Sequence, residues 1–222
     1  MAEAYTSPRK RPARRDVEAV PGTPASAREL RAQGRKTMRK LLDAGMRVFA
    51  ERGYQAARVD DIVRVARTSH GTFYLYFANK EDLLRALAVE CGDEMQLLAD
   101  GLGVVTLDDD GVTELRRFLA AFVTTYRRYG PVIRAWMEGD ISDRDTSARG
   151  VAAFTAIANA LGRRMHEAGT RGDEATVAAL MAMIERFAYF RTSRRLDLDP
   201  ESLLDTLTLV VYRGFFGAPV AV

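Results

Sequence analysis

The chain has 222 residues, of which 47% are hydrophobic and 28% charged, which is the composition of an ordinary globular protein large enough to bury a core. A single cysteine, Cys91, excludes an intrachain disulfide. No apolar run is long enough for a signal peptide or a membrane span, so we expect a cytoplasmic protein that does not enter a membrane.

The net charge of +3 hides an uneven distribution of charge along the chain. Residues 1–80 contain 17 Lys and Arg against 8 Asp and Glu, whereas residues 81–222 contain 16 against 22. Most of the excess lies in residues 1–40, which hold 11 basic and 4 acidic groups. The front of the chain therefore favours a polyanionic partner.

Residues 1–34 hold four of the seven prolines and almost no large apolar side chains. Such a segment buries too little surface to offset the entropy of ordering, so we predict a disordered basic extension over residues 1–34, in which residues 26–33 also fit a helix. The extension contains a basic cluster of Arg9, Lys10, Arg11, Arg14 and Arg15. This cluster fits two interpretations, an arm that follows DNA or a tail that keeps the protein in solution.

Apolar stripes with helical spacing occupy most of the remaining chain. The first predicted helix begins near Lys36 and ends at Gly53, and later stripes predict helices over 59–66, 80–98, 115–129, 147–168, 174–194 and 200–216. Gly130-Pro131 is predicted to end one helix and start another through Trp136. Asn79 and Asp199 supply capping side chains, and residues 101–111 are predicted to form a linker.

The segment RTSHGTFYLYFANK, residues 67–80, fits two local structures. Phe73, Leu75 and Phe77 alternate with Thr72, Tyr74 and Tyr76, which is the pattern of a half-buried strand, but Phe73, Tyr76 and Phe77 also have helical spacing. The sequence offers no second strand as a partner, and an isolated strand leaves its backbone unpaired. We therefore predict a short helix over about 69–77 and an all-α fold.

A long helix followed by two short ones is the layout of a helix-turn-helix, whose second short helix enters the major groove of DNA. The turn would be Arg67-Thr68-Ser69. Gly71 lowers helix propensity, so its use would be a close approach of the backbone to a bulky partner. A compact helical hairpin that only packs aromatic side chains fits the same pattern.

Five segments resemble the DNA-binding domain of the TetR (tetracycline-repressor-like) family of transcription regulators. They are LDA at 42–44, VFAERGY at 48–54, VDDI at 59–62, SHGTFYLYF at 69–77 and NKEDLL at 79–84. The resemblance implies an N-terminal three-helix helix-turn-helix DNA-binding domain over residues 35–81. It also implies a C-terminal helical ligand-binding and dimerisation domain over residues 82–222.

The same resemblance implies DNA contacts residue by residue. Thr72 and Tyr74 would contact phosphates or base edges, Tyr76 and Lys80 the backbone, and His70 and Leu75 would set the operator sequence. Two positions depart from the family, because Arg58 replaces a usual Thr and Arg67 a usual Gly. Tyr76 keeps a second interpretation as a core residue. The implied DNA-binding set is Arg58, Ser69, His70, Gly71, Thr72, Tyr74, Leu75, Tyr76 and Lys80.

The last two predicted helices carry more apolar side chains than one helix face needs. They resemble the helices that form a four-helix dimer bundle in the family, which predicts a homodimer; a last helix buried within one protomer is the alternative. The predicted interface consists of Leu180, Ile184, Phe187, Leu203, Leu207, Val210, Val211 and Phe215.

The family resemblance also implies a cavity for a small-molecule effector. Aromatic and methionine side chains at helical spacing are the candidates for its lining, and their low polarity favours an apolar or aromatic molecule; the same side chains fit an ordinary core. The candidates are Phe122, Tyr126, Trp136, Met137, Phe154, Ile157, Met165 and Met183.

Catalytic motifs are missing from the sequence. It contains no G-x-S-x-G, no H-E-x-x-H and no phosphate-binding glycine loop, and its two histidines and one cysteine give no metal-site spacing, so we expect neither an enzyme nor a cofactor. We predict a repressor that binds a palindromic operator in double-stranded DNA as a dimer and is released by a small molecule. A DNA-binding architectural or interaction protein without ligand control is the alternative.

Overall fold

The computed structural model describes residues 32–137, 139, 141, 143–192 and 199–217. Within these ranges all regular elements are helical, which confirms the predicted all-α fold, and none of the helices is long and apolar enough to cross a membrane. The elements are α1 Ala32–Arg52, α2 Val59–Ala66, α3 His70–Tyr74, α4 Lys80–Asp100, α5 Asp109–Met137, α6 Arg144–Glu167, α7 Glu174–Thr192, α8 Pro200–Val211 and a π-helical turn Tyr212–Phe216.

Helix α1 begins earlier than the sequence predicted. Residues 32–34, assigned above to a disordered extension, form its first turn, where Thr37 Oγ1 donates to the carbonyl of Gln33 at 3.0 Å. The helix ends as predicted at Gly53, whose φ of 77° is a left-handed conformation that glycine adopts without strain. The rest of the predicted extension, including the basic cluster, lies outside the described residues.

Helix α4 joins the helix-turn-helix to the rest of the protein, because it packs on α1 at one end and mainly on α6 and α5 beyond. Its start is capped as predicted, since the Asn79 side chain accepts a hydrogen bond from Asp82 N at 2.8 Å. The buried Asp82 side chain in turn accepts from Ala78 N at 3.1 Å. In a capping box this side chain accepts from the backbone N–H of the cap residue itself, which here is Asn79. The observed donor is the residue before it.

Helix α5 runs unbroken through Gly130-Pro131, so the predicted break at these residues is wrong. Proline inside a helix removes one backbone hydrogen bond and costs about 3 kcal/mol. The buried stripe of the helix nevertheless continues across it: Tyr126, Tyr129 and Ile133 are all 1–2% exposed. Burial of each such side chain contributes about 2 kcal/mol, which offsets the cost of the proline.

The C-terminal helices differ from the prediction at their ends. Asp199 caps α8 by accepting from Ser202 N at 2.8 Å, as predicted, but regular α-helix stops at Val211 rather than at residue 216. A π-helical turn follows and buries Phe216 completely. Within it Tyr212 Oη donates to the carbonyls of Thr106 and Asp108 at 3.0 and 3.2 Å, which fastens this end to the linker before α5.

Candidate nucleic-acid interface and apolar cavity

The turn between α2 and α3 is built on an arginine in a left-handed conformation. Arg67 has φ 50° and ψ 54°, and its N–H donates to the carbonyl of Arg64, while Thr68 N donates to Val63 O at 3.0 Å. This is the C-terminal cap geometry that usually selects glycine. The departure noted in the sequence therefore leaves the turn geometry intact, at a cost of about 1–2 kcal/mol of backbone strain.

Helix α3 begins at a serine cap. Ser69 Oγ accepts from Thr72 N at 3.1 Å and lies 3.0 Å from the Thr72 hydroxyl, which couples two of the predicted DNA-binding side chains to each other. Regular helix ends at Tyr74, earlier than the predicted residue 77, although Phe77 N still donates to Phe73 O at 3.0 Å and continues the winding.

The two faces of this segment separate as the helical spacing predicted. Phe73 and Phe77 are buried at 0% and 2% exposure, with ring centroids 5.7 Å apart. Tyr74 and Leu75, at 49% and 50% exposure, lie on the opposite side, together with the exposed residues 69–71. Tyr76 is half-buried and packs on the core, so it is available to both sides.

His70 and Arg58, which the resemblance assigns to DNA, are held differently in the structure. His70 Nε2 lies 2.5 Å from Asp60 Oδ1 of α2, so a contact from His70 to a base competes with this pair. Arg58 occupies the N-cap of α2 without a capping hydrogen bond, and its exposed side chain stays available to a phosphate.

Lys80 has a structural role that sequence analysis missed. Its ammonium group donates to three carbonyls of the loop between α1 and α2, those of Tyr54, Gln55 and Ala57, at 3.1, 3.1 and 3.2 Å. It also lies 4.6 Å from the centre of the Tyr54 ring. These contacts use all three of its donors. The Lys80 ammonium group already holds α4 to this loop, so a contact with a DNA phosphate would compete with these hydrogen bonds.

A depression of about 360 Å³ adjoins the start of α3 and collects basic side chains that sequence analysis did not assign to DNA. Lys36 and Lys40 of α1 line it together with Arg67, Thr68 and Thr72, and none of the described residues in its wall is acidic. The signal was present in the sequence, because residues four apart on a helix share a face. We call this lining the basic depression. It has the charge and the hydroxyl donors that a DNA phosphate needs.

The predicted dimer residues divide into two groups. Four of them belong to the core of the protomer, at 0–3% exposure, and are corrected accordingly: Leu180, Ile184, Leu207 and Val211. They are buried because α5 packs on both α7 and α8. Phe187, Leu203 and Phe215 are half-buried, and Val210 is 49% exposed. The large exposed apolar side chains of these two helices are Met183, Phe190, Leu209 and Val210, which we call the α7–α8 face.

An open cavity of about 590 Å³ lies where α7 meets the end of α5 and the side of α6. It brings together three of the predicted ligand-binding residues, Met137, Phe154 and Met183. Trp136 packs edge-on against Phe154, with ring centroids 6.5 Å apart. The other four predicted residues, Phe122, Tyr126, Ile157 and Met165, are 0–2% exposed and belong to the core. The cavity wall also contains Met181, Glu185 and Arg186, which sequence analysis missed.

Comparison with known proteins is informative for the helix-turn-helix. The family model of bacterial regulatory proteins, tetR family, matches residues 41–87. A fatty acid metabolism regulator protein of Bacillus subtilis is 43% identical over 58 residues, which are 26% of this chain and 30% of that protein. The chain thus spans about a third of the length of this curated relative.

Solved structures extend the likeness to most of the fold. A tetR-family regulatory protein from Rhodococcus RHA1 superposes with a TM-score of 0.65 at 20% identity, over 83% of this chain and 99% of the other. The TetR-like regulator LfrR from Mycobacterium smegmatis, solved in complex with proflavine, gives 0.62 at 21% identity, over 86% and 100%. Residues 41–87 thus match the tetR family of bacterial regulatory proteins, and most of the chain shares the fold of solved tetR-family structures.

Proposed function

We propose that the protein is a transcription regulator, not an enzyme, that binds double-stranded DNA through α3 and the basic depression. The observation that carries the proposal is the exposed polar side of α3 next to Lys36, Lys40 and Arg67. A helix that shows hydroxyl and aromatic groups beside three cations suits base edges flanked by phosphates. Such a regulator acts at the chromosome, in the cytoplasm.

Footprinting on the DNA that flanks its own gene tests this function. A repressor or activator of this design protects a short site with two-fold symmetry, because each recognition helix contacts one half-site. Uniform protection of any duplex would instead support the architectural alternative. Loss of the footprint in a variant with Thr72→Ala and Tyr74→Phe would assign the binding to α3.

The regulator acts as a homodimer in our proposal, and the α7–α8 face forms the interface. Met183 and Phe190 of α7 are each 37% exposed, and Leu209 and Val210 of α8 are 43% and 49% exposed. Exposed apolar side chains on two neighbouring helices form a surface that a second copy would remove from water. This set replaces the four core residues of the sequence-based interface.

Light scattering with two matched variants tests the dimer. Val210→Arg places a charge in the proposed interface and is expected to give a monomer at micromolar concentration. Val151→Arg makes the same change at a residue of α6 that is 65% exposed and outside the α7–α8 face, and it is expected to leave the dimer intact. A wild-type monomer, or a dimer that survives Val210→Arg, would contradict the proposal.

The cavity beside α7 is the proposed effector site. Its lining of methionine and phenylalanine side chains suits a small apolar or aromatic molecule, because methionine adapts to irregular shapes. The structure of LfrR with proflavine supports ligand binding in a protein of the same fold. If an effector binds the DNA-free form more tightly than the DNA-bound form, it lowers the affinity for the operator by the ratio of these two effector affinities. The test is loss of the footprint on adding the molecule.

A further inference from the structure

Glu185 is a buried carboxylate in the wall of the apolar cavity. The residue is only 6% exposed, and it shares the wall with Met137, Phe154, Met181 and Met183. A carboxylate placed among such side chains gives up most of its hydration, and the loss is large unless hydrogen-bond donors or a cation replace the water.

The protein supplies part of that replacement. Tyr126 Oη donates to Glu185 Oε1 at 2.8 Å. The closest cation to Oε2 among the described residues is Arg186, whose Nε lies 3.9 Å away, beyond hydrogen-bond distance. The Arg186 side chain is 58% exposed, and its guanidinium carbon lies 5.0 Å from the centre of the Tyr189 ring. Water and that ring therefore satisfy Arg186. Among the described residues, Tyr126 is the one that donates a hydrogen bond to Glu185, and it does so at Oε1, which leaves Oε2 able to accept.

Glu185 also affects the pKa of its hydrogen-bond donor Tyr126. Burial raises the pKa of the Tyr126 phenol, and Glu185 raises it further by hydrogen bonding and by its charge. Arg134 acts in the opposite direction on the pKa of this phenol but more weakly than Glu185.

We propose that the cavity binds a small apolar molecule that carries a protonated amine, and that Glu185 Oε2 accepts a charge-assisted hydrogen bond from its ammonium group. The methionine side chains and Phe154 contact the apolar body, and Tyr126 holds the carboxylate in position. The inference rests on the proposed effector site and names the chemical class of the molecule.

Three probes of one shape and different charge test the inference: 2-naphthylmethylammonium, the neutral 2-naphthalenemethanol and the anionic 2-naphthoate. Each is titrated by calorimetry into the full chain at pH 7 without DNA. We expect the ammonium to bind about tenfold or more tightly than the alcohol, which is what one charge-assisted hydrogen bond contributes, and the naphthoate to bind most weakly.

Two variants locate the effect. Glu185→Gln keeps the shape and is expected to bring the affinities for the ammonium and the alcohol together. Glu174→Gln makes the same change at an exposed residue of the same helix outside this cavity, and it is expected to retain the wild-type preference. The comparison of probes on the wild type needs no variant, so a folding defect in Glu185→Gln cannot hide the answer.

Equal affinity of the wild type for the ammonium and the alcohol would overturn the inference. So would tighter binding of the naphthoate, no binding of the ammonium up to millimolar concentration, or a preference that persists in Glu185→Gln. Because no DNA is present, these outcomes leave operator binding untouched. A failed footprint with an intact ammonium preference would instead overturn the DNA-binding function alone.

Discussion

Substitution of Gly71 by alanine is expected to have opposite effects on the stability of the fold and on DNA binding. A Cβ built at this exposed position meets only Ser69 Oγ, at 3.8 Å, which is an ordinary contact. The protein itself therefore has room for alanine. Because Gly71 lies within α3, Gly71→Ala is expected to stabilise the fold by about 0.5–1 kcal/mol, and to raise Tm by about 1–4 °C for a chain of this size.

DNA binding is expected to change in the opposite direction. If the α3 backbone contacts the operator at Gly71, the added methyl group overpacks a closed interface at a cost of about 1–3 kcal/mol per half-site. Two half-sites in a dimer then lose at least about 2 kcal/mol together, or about 25-fold in affinity. Fluorescence anisotropy with a labelled operator duplex measures this loss, and thermal unfolding measures the gain in stability.

Gly92→Ala is the matched control for this experiment. Gly92 lies within α4, and a Cβ built there meets nothing within 4 Å, so alanine fits there too and the gain in helix propensity is comparable. This variant is expected to keep wild-type affinity for the operator. If Gly71→Ala binds as tightly as Gly92→Ala does, the backbone of α3 does not approach DNA at this residue, and the assignment of this face is refuted.

Three further changes address the same surface. Arg67→Gly relieves the strain of the left-handed backbone at this residue and is expected to stabilise the fold by about 1 kcal/mol, measured by thermal unfolding. It is also expected to weaken operator binding, measured by fluorescence anisotropy, and an unchanged affinity would remove Arg67 from the interface. Arg58→Thr gives the N-cap of α2 a capping side chain and is expected to add about 0.5–1 kcal/mol to the free energy of unfolding, measured with urea. Operator binding is expected to weaken, because a cation near the phosphates is lost. Destabilisation would contradict the assignment of residue 58 as the cap of α2. Lys36→Gln combined with Lys40→Gln removes four cations from the proposed dimer and is expected to reduce the slope of log K against log salt by about 4. An unaltered slope would place both cations off the phosphates.

The sequence was most informative where structure is specified locally. Asn79 and Asp199 each have a capping side chain directly before a helix, and each accepts the expected hydrogen bond. The choice of helix over strand for residues 69–77 also came from the sequence, because spacing assigned Phe73 and Phe77 to one buried side. Such signals act within one turn of helix and depend little on the rest of the fold.

Features that depend on tertiary contacts could not be obtained in this way. Pro131 looked like a helix break because the local cost is visible in the sequence, whereas the compensating burial of Tyr129 and Ile133 is not. Apolar spacing likewise marked Leu180 and Leu207 without telling whether a neighbouring helix or a second copy covers them. The three carbonyls around Lys80 come from a loop more than 20 residues away along the chain.

Selection of bound sequences from a pool of random duplex DNA tests the central claim most directly. The account predicts that the wild-type protein enriches an inverted repeat whose half-sites are spaced by one helical turn or a multiple of it. It also predicts that Tyr74→Phe with Thr72→Ala enriches nothing while unfolding at nearly the wild-type temperature. A wild-type protein that retains duplex DNA without enriching any sequence would contradict the claim that α3 is a recognition helix.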